Sequence, residues 1–170
     1  VAFAGQRHRW GYTTAGRSAK GWEKLMDHHL ILRSVTRLLV GPILLYGLYV
    51  QFHGEYGPGG GFQAGVIFAV GFILYGTVFS LRRLKAIVPD WFIMALVALG
   101  LLIYVVTGVV TMVLGGNYLD YNVLGLSPIG SQHLGIISIE LGVGITVFAV
   151  MMAVYYAFVS RPPSLDDKDW

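Results

Sequence analysis

Cysteine is absent from the 170-residue chain. That excludes disulfides, thiolate-bound zinc and cysteine-ligated iron–sulfur clusters. Charge is scarce too: 12% of residues are Asp, Glu, Lys or Arg, against roughly a quarter in a soluble domain. The net charge of +3, from 12 basic and 9 acidic residues, is too small an excess to argue for nucleic acid. What the chain has in quantity is apolar surface, 55% of its residues, with a mean hydropathy of +0.65.

The apolar residues come in unbroken blocks. A helix needs roughly 20 mostly apolar residues to cross a hydrocarbon core of about 30 Å. Four stretches qualify: Leu30 to Phe52, Phe62 to Leu81, Trp91 to Leu114 and His133 to Phe158. Membrane-spanning β-strands would instead be short and alternating. A cleaved signal peptide is not expected, because the first block starts near residue 30 and is too long. The expected fold is an all-α integral membrane bundle of four transmembrane helices.

Basic residues alternate between connections. Arg7, Arg9, Arg17, Lys20 and Lys24 precede the first block; Arg82, Arg83 and Lys85 separate the second and third; Arg161 and Lys168 follow the fourth. The stretches His53–Gly61 and Gly115–Ser131 contain no Lys or Arg. By the positive-inside rule both termini are expected in the cytoplasm. The domain reading is a polar, basic tail over 1–26, a membrane domain over 27–158 and a cytoplasmic tail over 159–170. Alone, the first tail reads as flexible or as lying on an anionic membrane surface, and Met26 offers an alternative start.

Several residues need an explanation inside a bilayer. Glu140 lies within the fourth block among Ile137, Ile139, Leu141 and Val143, where a carboxylate is costly unless it is paired, protonated or wet. Two readings stand: a carboxylate that handles protons or cations, or one that hydrogen-bonds across a helix contact. His133, seven residues earlier, shares its face about two turns away. It either lines the same groove at the mouth or is a helix-entry histidine at the interface. Gly135, Ser138, Gly142 and Thr146 form a separate small-residue stripe suited to a close helix neighbour, and Gly65 and Ala69 pair similarly on the second helix. Arg33 and Arg37 are expected to snorkel to the interface, with an acid on a neighbouring subunit as an alternative partner for Arg37. Asp90 is expected to N-cap the third helix.

The first outer loop runs His53-Gly-Glu55-Tyr-Gly-Pro58-Gly59-Gly60-Gly61-Phe62-Gln-Ala-Gly65. Three glycines after a proline point to a tight backbone path that side chains would block. A phosphate-binding loop is excluded, since no Lys-Ser/Thr follows. His53 and Glu55 are available to a cation or a partner, or serve the turn structurally.

This string resembles the signature of the MrpB/MnhB family, whose members are small subunits of the Mrp-type multisubunit Na+(K+)/H+ antiporter. Gly115-Gly-Asn-Tyr-Leu-Asp-Tyr121 and Ser131-Gln-His-Leu-Gly-Ile-Ile-Ser-Ile-Glu-Leu-Gly-Val143 resemble two further stretches of the family, so the likeness covers about residues 27–158. The resemblance implies a non-enzymatic, cofactor-free member of a hetero-oligomer in the prokaryotic plasma membrane. Its partners would be the other Mrp subunits, the lipid bilayer and the exchanged ions, Na+ or K+ against H+. In that family the proton channels belong to larger subunits, which agrees with a chain that has one deep acid and no deep lysine. A homologous component of a membrane-bound hydrogenase-like respiratory complex is the alternative. An autonomous channel or carrier ranks last, because no inverted repeat or broken helix is evident.

Overall fold

The computed structural model describes residues 14–54, 58–125 and 127–160. These form α1 (Thr14–His53), α2 (Gly61–Phe79), α3 (Leu81–Ile87), α4 (Asp90–Val113) and α5 (Pro128–Val159), with a 3-10 turn at Tyr121–Val123. Four segments are long and apolar enough to cross a membrane: Leu30–His53, Gly61–Phe79, Asp90–Val113 and Ile129–Val159. The expected helical membrane bundle is therefore present. Contacts group the chain into two units, residues 1–35 and 36–170. The described part of the first is the opening portion of α1, which takes in the second half of the polar segment. The second unit holds the rest of α1 and every other helix.

Helix ends depart from the sequence reading for identifiable reasons. α5 starts at Pro128 rather than His133, because Ser127 caps it by accepting from the Gly130 N–H at 3.2 Å, with proline at the first turn. α2 stops at Phe79, since Ser80 takes φ 107°, ψ 146° and begins the short α3. Asp90 is not the N-cap of α4; Pro89 is, and Asp90 lies in the first turn with its carboxylate 3.0 Å from Lys85 Nζ. Pro42 lies inside α1, a placement tolerated in membrane helices where neighbours satisfy the freed backbone.

α5 is the hub, with α2 against one side and α4 against another. Both contacts run through glycine. A side chain on Gly65 would stand 2.5 Å from the Gly144 carbonyl oxygen, and one on Gly100 would stand 2.7 Å from that of Gly142. Without a hydrophobic drive between helices in lipid, such close backbone approach is what makes packing favourable. α1 joins through side chains, with Leu44 over Gly71 and Phe68 over Gly47.

At the basic end, Leu84, Val88, Ile93, Ala149, Met152 and Tyr156 form a buried cluster. The Tyr156 hydroxyl donates to the Val88 carbonyl at 2.7 Å, and Lys85 Nζ lies 5.0 Å from the Tyr156 ring centroid. At the other end the connection after α4 folds back. Fully buried Thr111 donates to the Gly108 carbonyl and accepts from the Leu119 N–H at 3.0 Å. Tyr118 packs on Gly108 and Tyr121 on Gly135, and Gln132 donates to Asn122 at 2.9 Å.

Candidate functional site: a carboxylate in a glycine cradle

Glu140 is half-buried on α5, facing the start of α2. Its Oε1 lies 3.0 Å from where a side chain would begin on Gly54, and equally 3.0 Å from that point on Gly60. A side chain on Gly61 would run into the Glu140 main-chain carbonyl. Gly60 has φ 106°, ψ −178°, a region open essentially to glycine alone, and its N–H donates to the Val50 carbonyl at 3.2 Å. A side chain on Gly59 would meet that same carbonyl oxygen at 3.0 Å. Glycine at 59, 60 and 61 is thus required by three separate contacts. Gln51 completes the wall, with its Oε1 2.7 Å from the position of a Cβ on Gly144.

These contacts fix the depth of the carboxylate. α1 ends at His53 and α2 begins at Gly61, both level with Glu140, whereas α5 extends a further 12 residues to Pro128, about 18 Å at 1.5 Å per residue. The 19 residues of α2 span about 28 Å, close to the hydrocarbon thickness. Glu140 therefore lies near the glycine-turn end of the apolar layer of α2, not at its middle. The lower cost of a carboxylate at that depth follows directly.

The other sequence-selected residues are distributed as follows. His133 is exposed and about 10 Å along α5 from Glu140. His53 closes α1, half-buried, with its ring stacked 4.9 Å from that of Tyr49. None of His53, His133 and Glu140 stands free. Pro58 and Phe62 are exposed while Gly60 and Gly61 are buried. Gly142 and Thr146 face Gly100 of α4, and Gly135 faces Tyr121. Ser138 instead donates to its own helix at Leu134, 2.7 Å. Arg37 is exposed, its guanidinium carbon 5.3 Å from the centroid of the Phe79 ring. Glu55 lies outside the described residues, as do residues 1–13 and 161–170.

Most of the stripe and the acid of α5 are covered from within the chain, Gly142 and Thr146 by α4, Gly135 by Tyr121, and Glu140 by the glycines that flank the α1–α2 turn. Sequence reasoning missed Gln51, Gly54 and Gly100 as the surfaces involved. The two glycines in the apolar run of α4, Gly100 and Gly108, were the available signal for Gly100; nothing local marks Gln51. Among the described residues no group of three or more His, Cys, Asp or Glu is arranged to hold a metal.

A family profile described as "Domain related to MnhB subunit of Na+/H+ antiporter" matches residues 31–153. The chain is also similar to "Putative antiporter subunit mnhB2" of Staphylococcus aureus strain Newman, 34% identical over 133 residues, covering 76% of this chain and 94% of the relative. Proteins of the same name from strains JH1 and COL match to the same extent. With the profile running through the glycine turn and the Glu140 helix alike, the chain belongs to the family of MnhB-related membrane domains.

Proposed function

We propose that this chain is an accessory subunit of a multisubunit monovalent-cation/proton antiporter, held in the cell membrane by its four spanning helices and needed for assembly and ion exchange. The observation that carries this reading is the MnhB match over residues 31–153. The chemistry of the site supports an accessory role. A proton path needs a series of ionisable groups, and from Ala86 to Ser160 the chain has no Lys or Arg, with Glu140 the sole glutamate. Any ion path that Glu140 or His133 joins is completed by other subunits.

Both termini face the cytoplasm in this reading. Arg82, Arg83 and Lys85 sit on the connection between α2 and α4, and no Lys or Arg occurs from Leu38 to Leu81, which is the positive-inside asymmetry. The partners are the remaining antiporter subunits and lipid, which between them cover outward residues such as Leu38, 74% exposed, and Val113, 80% exposed.

Everted membrane vesicles from cells carrying the whole complex, with and without this chain, provide the test. Adding Na+ or K+ to respiring vesicles should dissipate the pH gradient only when the chain is present. Undiminished exchange in its absence would refute the proposal.

A further inference from the structure

Between α1, α2 and α5, with Val88 just before α4 and Phe92 near its start on a further side, lies a cavity of about 340 Å³. Its lining is aromatic and aliphatic, with Phe52, Phe68, Phe72, Phe92 and Phe148 among the walls and Gln51 as the polar side chain at one end. Such a volume is within the range that holds a small ligand, but this one offers almost no polar recognition. It suits hydrocarbon.

Helix geometry shows where the groove leads. Phe68 and Phe72 line the cavity, and Phe79 falls within about 40° of both around α2. On α1, Leu48 and Phe52 line it, and Gly41 and Arg37 fall within about 60° of them. A side chain added at Gly41 would meet nothing within 4 Å, so the open path continues there. It ends where the exposed Arg37 guanidinium stacks on Phe79 at 5.3 Å. Arg37 has no carboxylate partner among the described residues. From Phe79 to Phe68 is about 16 Å at 1.5 Å per residue, close to half of the roughly 30 Å hydrocarbon core. An apolar channel one leaflet deep thus terminates at a cation.

We propose that the α1–α2–α5 groove is a binding site for one anionic phospholipid, with an acyl chain along Phe68, Phe72 and Leu48 and the phosphate on Arg37. The stacked guanidinium is suited to this, being held in place by the ring while its donors remain open to phosphate oxygens. Phosphatidylcholine carries the same phosphate but adds a choline cation, so its headgroup is net neutral and repels the Arg37 guanidinium in part, whereas the phosphatidylglycerol headgroup keeps a net negative charge for it.

The test uses native membranes containing the assembled complex. A phosphatidylglycerol with a photoactivatable acyl chain is compared with phosphatidylcholine carrying the same chain, and crosslinked peptides are mapped. Phosphatidylglycerol should label the groove in preference to phosphatidylcholine. Arg37→Gln should reduce that labelling about fivefold, the factor expected for one basic residue at an anionic lipid surface; Arg37→Lys should retain most of it. Gly41→Leu should reduce labelling with Arg37 intact. Equal labelling by the two lipids would overturn the proposal, as would groove residues that crosslink to another subunit instead. Should Arg37→Gln fail to assemble, the headgroup preference in the unsubstituted complex decides the matter.

Discussion

At the scale of single residues, the site is defined by side chains that are missing. Gly54, Gly60 and Gly61 leave room for the Glu140 carboxylate and its main chain, and only Gly60 is also required by its backbone angles. A Cβ at Gly61 would push α2 away from α5, so Gly61→Val should lower the yield of intact complex on a native gel. The cost is about 1–3 kcal/mol, as for other overpacked contacts. Glu140→Gln should preserve both yield and exchange, because shape and hydrogen-bonding capacity survive; Glu140→Ala should lose both. An assembled but inactive Glu140→Gln complex would instead make the carboxylate an ion-handling group. Ser80 is the converse of Gly60: a residue with a side chain at φ 107°, ψ 146°. Ser80→Gly should raise thermal stability by about 1 kcal/mol through relief of that strain, measured on the solubilised protein. The acid and the glycine run were legible as unusual residues. Their juxtaposition was not, since about 80 positions of sequence separate Gly60 from Glu140 and no local pattern links them.

At the scale of elements, the four spans were legible because hydrocarbon thickness sets their length and leaves little freedom. Their ends were less so. Ser127-Pro128 extends α5 into a stretch that reads as loop by hydropathy, and the connection between α2 and α4 contains a helix of its own. The fold-back after α4 brings Tyr121 onto Gly135. There burial, followed by the neighbouring phenols of Tyr104 and Tyr118, raises the Tyr121 pKa above its ordinary value near 10. The folded state therefore holds this proton more tightly than the unfolded chain. The associated stability is fully present below pH 10 and is lost as pH rises through the raised value. Tyr121→Phe should remove that alkaline loss, seen as a smaller fall in melting temperature between pH 9 and 11.

At the scale of the whole molecule, the absence of cysteine makes orientation directly measurable. Arg83→Cys and Asn117→Cys, made singly, should react with an impermeant maleimide from opposite sides of the membrane, with position 83 labelled from the cytoplasm. Labelling of both from one side would contradict the four-span arrangement. Membrane class, the number of spans and the family signature could all be read along the chain, because each depends on local composition or on a contiguous motif. Which helix faces which emerged from three-dimensional packing alone. Gly142 and Thr146 of α5 meet α4, Glu140 meets the glycines flanking the α1–α2 turn, and Arg37 meets Phe79. Helix contacts within a membrane are selected by backbone fit between distant segments, and hydropathy carries no record of that fit.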